Sequence, residues 1–185
     1  RSLLGGEQER WLLNGFDESH AYWDVLGQQV VFSQLDLVPG TDSGFNPDAW
    51  DGYPGDRDRV IAGIVNSPVR NALVLTGDVH SHWAAEVHED ADDLSSAVVA
   101  AELVTTSITS GGDGSDTRSE VEAVLPENPH VRFYNNRRGY VRTQITPGEV
   151  RADFRVVPYV SRPGAEVRTA ASFTVADRDE AVLST

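Results

Sequence analysis

Residues 73–83 read Leu-Val-Leu-Thr-Gly-Asp-Val-His-Ser-His-Trp, and they hold the residue types best suited to chemistry in this chain. A short apolar run ends in Gly77, Asp78, Val79 and His80. This reads as a buried strand that presents a carboxylate and an imidazole from its end. On extended backbone, side chains two apart point the same way. Asp78, His80 and, if the chain stays extended, His82 then converge on one point. Carboxylate oxygen with imidazole nitrogen is a donor mix for zinc, iron or manganese. Spacing alone leaves a second reading open, in which Asp78 is a cap and His80 a solvated histidine after a strand.

Other candidates carry weaker signals. His88 to Asp93 packs Glu89, Asp90, Asp92 and Asp93 into six residues. The run lacks the glycine and terminal glutamate of an EF-hand, so a solvated acidic loop is expected. His130 follows an Asn-Pro turn and reads as structural. Arg137 and Arg138 are adjacent, and arginine suits bidentate phosphate contact; for Arg137 the preferred reading is a solvated or ion-paired lead-in to a hairpin. Trp50, Asp51 and Tyr53 lie in a loop and either line a cleft or plug it. Thr106, Ser107 and Thr109 with Gly111 and Gly112 follow a strand end, near the site or as plain turn chemistry.

The elements that must position these groups alternate between two periods. Leu3, Leu4, Trp11, Leu12 and Leu13 with charges between them predict a short amphipathic helix over residues 3–13. A helical turn is expected over 19–23 and a strand around Val30, Val31 and Phe32. Residues 36–56 are rich in Asp, Gly and Pro and predict a long irregular loop. Val60, Ile61, Ile64 and Val65 form one stripe of a helix over 57–66, with Asp56 able to cap it. Strands follow at 72–76 and 97–104, and a weak helix at 117–125. From Tyr140 the alternation has period two, broken by Pro147-Gly148, which predicts a hairpin with one polar face and a further strand over 167–175. The fold class expected is α/β, a layered sandwich of mixed sheets flanked by helices, with antiparallel strands in its later part.

Composition narrows the function. The 185 residues suffice for one sizeable core. The net charge of −14 disfavours nucleic acid and anionic membrane as partners, and an anionic substrate would need a local positive source such as a metal centre. No run of 18 apolar residues is present, so no membrane span is predicted. No basic, apolar leader is visible at the start. Cysteine is absent, which excludes disulfides and thiolate ligands. Methionine is absent even at position 1, so the chain is expected to be a piece of a longer product. All 15 basic residues are arginine, read as a bias of the source genome.

Taken in order, several segments resemble one family. They are Arg1-Ser2-Leu3-Leu4-Gly5, Gln8, Trp11-Leu12, Trp23-Asp24-Val25-Leu26-Gly27-Gln28-Gln29, Trp50-Asp51-Gly52-Tyr53-Pro54 and Thr76-Gly77-Asp78-Val79-His80. Glu102, Thr106-Ser107-Ile108-Thr109-Ser110, Asn128-Pro129-His130 and Arg138-Gly139-Tyr140 continue the succession. The chain resembles the second half of the catalytic domain of PhoD-type alkaline phosphatases and phosphodiesterases, calcineurin-like metallophosphoesterases.

The resemblance implies two packed sheets flanked by helices and a two-metal centre, with Fe and Ca expected. It implies that Asp78 and His80 are metal ligands, expected to bind different metals, and that the substrate is a small phosphoester. His82 is expected beside the site, donating to a phosphate oxygen or leaving group. The family's earlier ligands, two aspartates and an asparagine, are expected upstream of Arg1. Gly55-Asp56-Arg57-Asp58 and Asn128-Pro129-His130 only imitate such motifs. Residues 1–185 are thus expected to be the C-terminal portion of one catalytic domain lacking its N-terminal half, from a secreted or periplasmic enzyme. Two other readings stand beside it: an inactive half or scaffold module, and a metal-binding or structural domain.

Overall fold

Alternation along Val150, Ala152, Phe154 and Val156 puts four apolar side chains on one face of a strand, and all four are buried. That strand, β7 (Glu149–Val157), is central in an antiparallel sheet between β6 (Arg138–Ile145) and β8 (Arg168–Ala176). Arg142 and Arg151 stay exposed on its other face. The computed structural model describes residues 2–178 and 183–185.

The larger sheet runs β1-β2-β4-β3-β5. Its strands are β1 (Asp24–Gly27), β2 (Ala72–Thr76), β3 (His82–His88), β4 (Val98–Val104) and β5 (Val131–Asn135). β1, β2 and β4 are mutually parallel, and β3 is antiparallel to both β4 and β5. Leu73, Ala84, Ala101 and Leu103 face the smaller sheet and pack on Phe154, Phe173 and Val175. Full burial of a side chain such as Phe154 contributes about 2–3 kcal/mol. On the opposite face, Ala72, Val74 and Ala100 meet Phe16, Val60, Ile61 and Ile64 of helices α1 (Gly6–Asp17) and α2 (Pro54–Val65). The fold is an α/β sandwich, with helices on one side of the larger sheet and the smaller sheet on the other. Among the described residues no helix is long and apolar enough to cross a membrane.

Several local expectations change. No helical turn forms over 19–23, because Trp23 Nε1 reaches the Thr146 carbonyl at 2.7 Å and strand β1 begins at Asp24. Val30 to Phe32 is not a strand. The amides of Phe32 and Ser33 donate to the fully buried Glu102 carboxylate, each at 2.8 Å, instead of to a neighbouring strand. α2 starts at Pro54, where a missing N–H costs nothing. Asp56 therefore does not cap it; its carboxylate binds Ser2 Oγ at 2.8 Å and Leu3 N–H at 2.7 Å and anchors the chain start. The weak helix shrinks to α3 (Ser119–Glu122). Strands β3 and β5 have no counterpart in the sequence reading.

Candidate functional site

The carboxyl ends of the parallel strands β1, β2 and β4 meet at one end of the larger sheet, the usual place for ligands in such sheets. A cavity of about 710 Å³ opens there. Gly27, Thr76, Gly77 and Thr106 form its wall on the larger sheet, and Gly139, Tyr140 and Val141 of β6 form the wall opposite.

Asp78 follows directly on that wall. The backbone does not stay extended beyond Thr76, contrary to the expectation. Val79 N–H donates to the Gly77 carbonyl at 2.9 Å, and Asp78 has φ 69°. An i→i+2 bond closed with positive φ is the strained hand of the γ-turn. His80 is left-handed too, at φ 53°. Among the described residues only Arg178 shares a positive φ without being glycine. Each such residue costs on the order of 1–3 kcal/mol, and strain of this kind gathers at functional sites. Both side chains are exposed. Asp78 and His80 thus share one strained turn, rather than one face of a strand.

Carboxylate and imidazole together suit a hard or borderline cation. Among the described residues, no group of three or more His, Asp or Glu side chains is placed to hold a metal. The pair fits part of a metal site, and a further donor would have to come from elsewhere.

His82 belongs to the interior. It opens β3, is 0% exposed, and meets the Phe154 ring edge-on at 5.3 Å. Its Nδ1 accepts the Thr106 N–H at 3.3 Å. Burial lowers its pKa to about 4, with the Arg138 charge adding to the effect and the Val104 and Arg155 backbone opposing it. The ring is therefore neutral at pH 7. Its contact with the cavity runs through Thr106, which lines the wall. Thr105 fixes the same corner: its N–H donates to the Thr76 carbonyl at 2.8 Å, and its Oγ1 accepts from Val141 N–H at 3.3 Å.

Beneath the cavity lies a polar network. Thr76 Oγ1 donates to Glu102 Oε1 at 2.6 Å and accepts from Gln28 Nε2 at 2.5 Å. Trp50 Nε1 donates to Gln28 Oε1 at 2.9 Å. Trp50, 2% exposed and edge-on to Phe32 at 4.9 Å, is a plug rather than a cleft wall. Asp51 forms a buried ion pair with Arg57; burial raises its carboxyl above the usual range, against the hydrogen bonds from Leu35 and Arg57. The long loop is thus pinned by its own polar groups.

His130 is structural: its Nε2 contacts the Gln34 carbonyl at 2.8 Å, and burial lowers its pKa to about 4. The acidic residues Glu89, Asp90, Asp92 and Asp93 are exposed. Arg137 pairs with Asp116 at 2.8 Å. Arg138 is 1% exposed and donates to Ser107 Oγ at 2.9 Å, to the Ser110 and Asn136 carbonyls and to Asn136 Oδ1. It ties the turn after β4 to the smaller sheet. Sequence reasoning missed Gln28, Thr105 and Tyr140 as wall residues. Tyr140 left a signal, an aromatic in phase with Arg142 on the polar face of the hairpin, 44% exposed.

The chain is similar to known proteins. A family model described as PhoD-like phosphatase matches residues 1–154. Alkaline phosphatase D of Bacillus subtilis (strain 168) is 48% identical over 173 residues, covering 94% of this chain and 30% of that protein. A solved structure titled "Structure of PhoD" superposes with a TM-score of 0.95 at 46% identity, covering 100% of this chain and 35% of the other. The chain therefore spans about a third of the length of these relatives. With most of its residues matched by the family model, the chain belongs to the PhoD-like phosphatase family.

Proposed function

We propose that this chain is part of a metal-dependent hydrolase of phosphate esters, an alkaline phosphatase or phosphodiesterase, and that it supplies Asp78 and His80 as metal ligands. One observation carries the reading. A carboxylate and an imidazole are held in left-handed backbone within three residues, at the carboxyl end of β2 and directly after Gly77, the last residue of β2's end to line the cavity. A folded chain tolerates such strain where the placement of the side chains matters. The 48% identity to an alkaline phosphatase D supports the same conclusion.

Two metal ions, Fe and Ca by family resemblance, would be held by Asp78, His80 and donors elsewhere in the full-length protein. When bound, such a pair supplies an acidified water and positive charge for the phosphoryl oxygens. This chain's own residues shape the rest. The Gly77–His80 turn fixes the direction of both donors. Thr105 and Thr106 hold the wall, with His82 acting through Thr106 as a positioning residue. A proton-donating role for His82 is the weaker alternative, since the ring is sealed in the core. The small phosphoester would enter the cavity between the two sheets, and export from the cytoplasm belongs to the same proposal.

A second reading concerns the 185 residues alone. They are one portion of a single catalytic domain and turn over poorly by themselves. Trp11 at 71% exposure and Val25 at 44% lie beside the edge strand β1 and favour this, as an apolar edge that another part of a longer protein would cover. The test is hydrolysis of an aryl phosphate by the full-length protein before and after chelation. Activity that is lost on chelation and restored by added metal supports the proposal. Full activity in the chelated, metal-free protein removes it.

A further inference from the structure

The 710 Å³ cavity continues past Tyr140 into a second hollow of about 430 Å³, and Ile108, Gly139 and Tyr140 line both. The far wall comes from the segment after β7, with Tyr159, Arg162 and Val167. The Arg162 guanidinium sits over the Tyr159 ring, 4.5 Å from its centroid.

This wall is held in place. The Asp113 carboxylate accepts the N–H groups of Val160 at 2.7 Å and Ser161 at 2.9 Å and the Ser161 hydroxyl at 3.0 Å. Those bonds keep its pKa below the usual carboxylate range and lock the far segment to the turn after β4. The shared floor is fixed by Gly139: a Cβ there would stand 1.8 Å from the Arg155 carbonyl, so only glycine lets β6 lie this close to β7 at the floor.

Three exposed apolar or aromatic side chains gather in the hollow. Ile108 is 67% exposed, Tyr140 44% and Val167 43%. Pockets of roughly 300–1,000 Å³ with apolar walls and a few polar groups hold whole organic ligands. A phosphoryl group needs charge and hydrogen bonds, not this apolar extension. Continuity with the candidate cavity argues that the occupant is the other end of the same substrate.

We propose that the second hollow is a leaving-group subsite that takes a ring-bearing alcohol, aryl or heteroaryl, of the phosphoester; this rests on the hydrolase reading given above. The ring packs on Tyr140 and Ile108, and Arg162 gives the rim a cation. In the hydrolysis, the water oxygen bonds to phosphorus as the phosphorus–ester oxygen bond breaks. The freed alcohol takes up a proton and leaves from this hollow.

The test uses the full-length protein with Tyr159→Ala and Val167→Asp, residues that line the second hollow alone. 4-Nitrophenyl phosphate and ethyl phosphate are compared through kcat/KM. The aryl-over-ethyl ratio is expected to fall about 10-fold, a typical worth for one lost apolar contact region, with the change carried in KM. An unchanged ratio overturns the subsite, whether both rates hold or both fall together. A fall in melting temperature with equal loss on both substrates also overturns it, because the hollow is then covered by another segment of the protein. Asp78→Ala, assayed in parallel, separates the two claims: if it spares both rates, the hydrolase site is misplaced whatever the ratio does.

Discussion

His80 and His82 stand two residues apart and occupy opposite environments. His80 is exposed, in left-handed backbone, three residues beyond the cavity-lining Gly77. His82 is sealed between the two sheets against Phe154, with its pKa lowered to about 4. The same contrast separates the carboxylates. Asp78 sits in a strained turn at the surface, whereas Glu102 is buried and takes two backbone amides and a hydroxyl. The residue type is thus a poor guide to role. What distinguishes the candidate ligands is a donor held at a cost in backbone strain and left open to an incoming group.

The largest effect should come from the strained turn. In the full-length protein, Asp78→Ala and His80→Ala are each expected to cut phosphoester turnover by more than about 100-fold, since loss of even an outer partner of a metal ligand costs 10–100-fold. Both side chains are exposed, so once wild type and variants are stripped of metal their melting temperatures should be close. Turnover within a few-fold of wild type in both variants would erase the distinction between the two histidines.

His82→Ala should do the reverse. Removal of a fully buried ring is expected to destabilise the fold by about 2–4 kcal/mol, read from urea unfolding. At low temperature, where the variant is folded, the pH dependence of kcat should keep its wild-type shape. Loss of one limb of that profile would instead make His82 a proton carrier.

Acid should strike the interior. His82 and His130 have folded pKa values of about 4 against an ordinary 6.5. Between those values the unfolded chain binds protons that the folded chain refuses, so stability falls as pH drops from 6.5 towards 4. Each ring should contribute a loss on the order of 3 kcal/mol by the bottom of that window. Denaturant melts at pH 7, 6 and 5 measure it, and a flat profile would contradict the assignment of both rings to the core.

The smallest effect is a gain. With both proteins stripped of metal, Asp78→Gly removes left-handed strain and should raise stability by about 1 kcal/mol over wild type. A loss of stability would mean that the Asp78 side chain makes contacts that support the fold.

Much of the fold was legible because its pattern is local. The hairpin of β6 and β7, the strand β2 and the helix α2 each carry their own periodicity. Strand β3 was hidden, since His82 to His88 is buried on both faces and shows no alternation. The false strand at Val30 to Phe32 has the right residues, but a distant glutamate, Glu102, takes the amides that a partner strand would need. In the candidate site, type and spacing singled out Asp78 and His80 but left a cap and a solvated histidine equally open, and the turn that holds them was not readable. Alternation would join His82 to them only on extended backbone, and the turn at Asp78 and His80 breaks that condition. Tyr140 and Thr105 come from elements far apart in sequence and could be joined only through the packing of one sheet on the other.

The claim that the Gly77–His80 turn grips a cation is tested most directly by metal analysis of the purified full-length protein beside its Asp78→Ala/His80→Ala double variant. The account predicts that the double variant loses at least one metal equivalent per chain together with its hydrolytic activity, while remaining folded. A double variant with a full metal complement and undiminished turnover would contradict it.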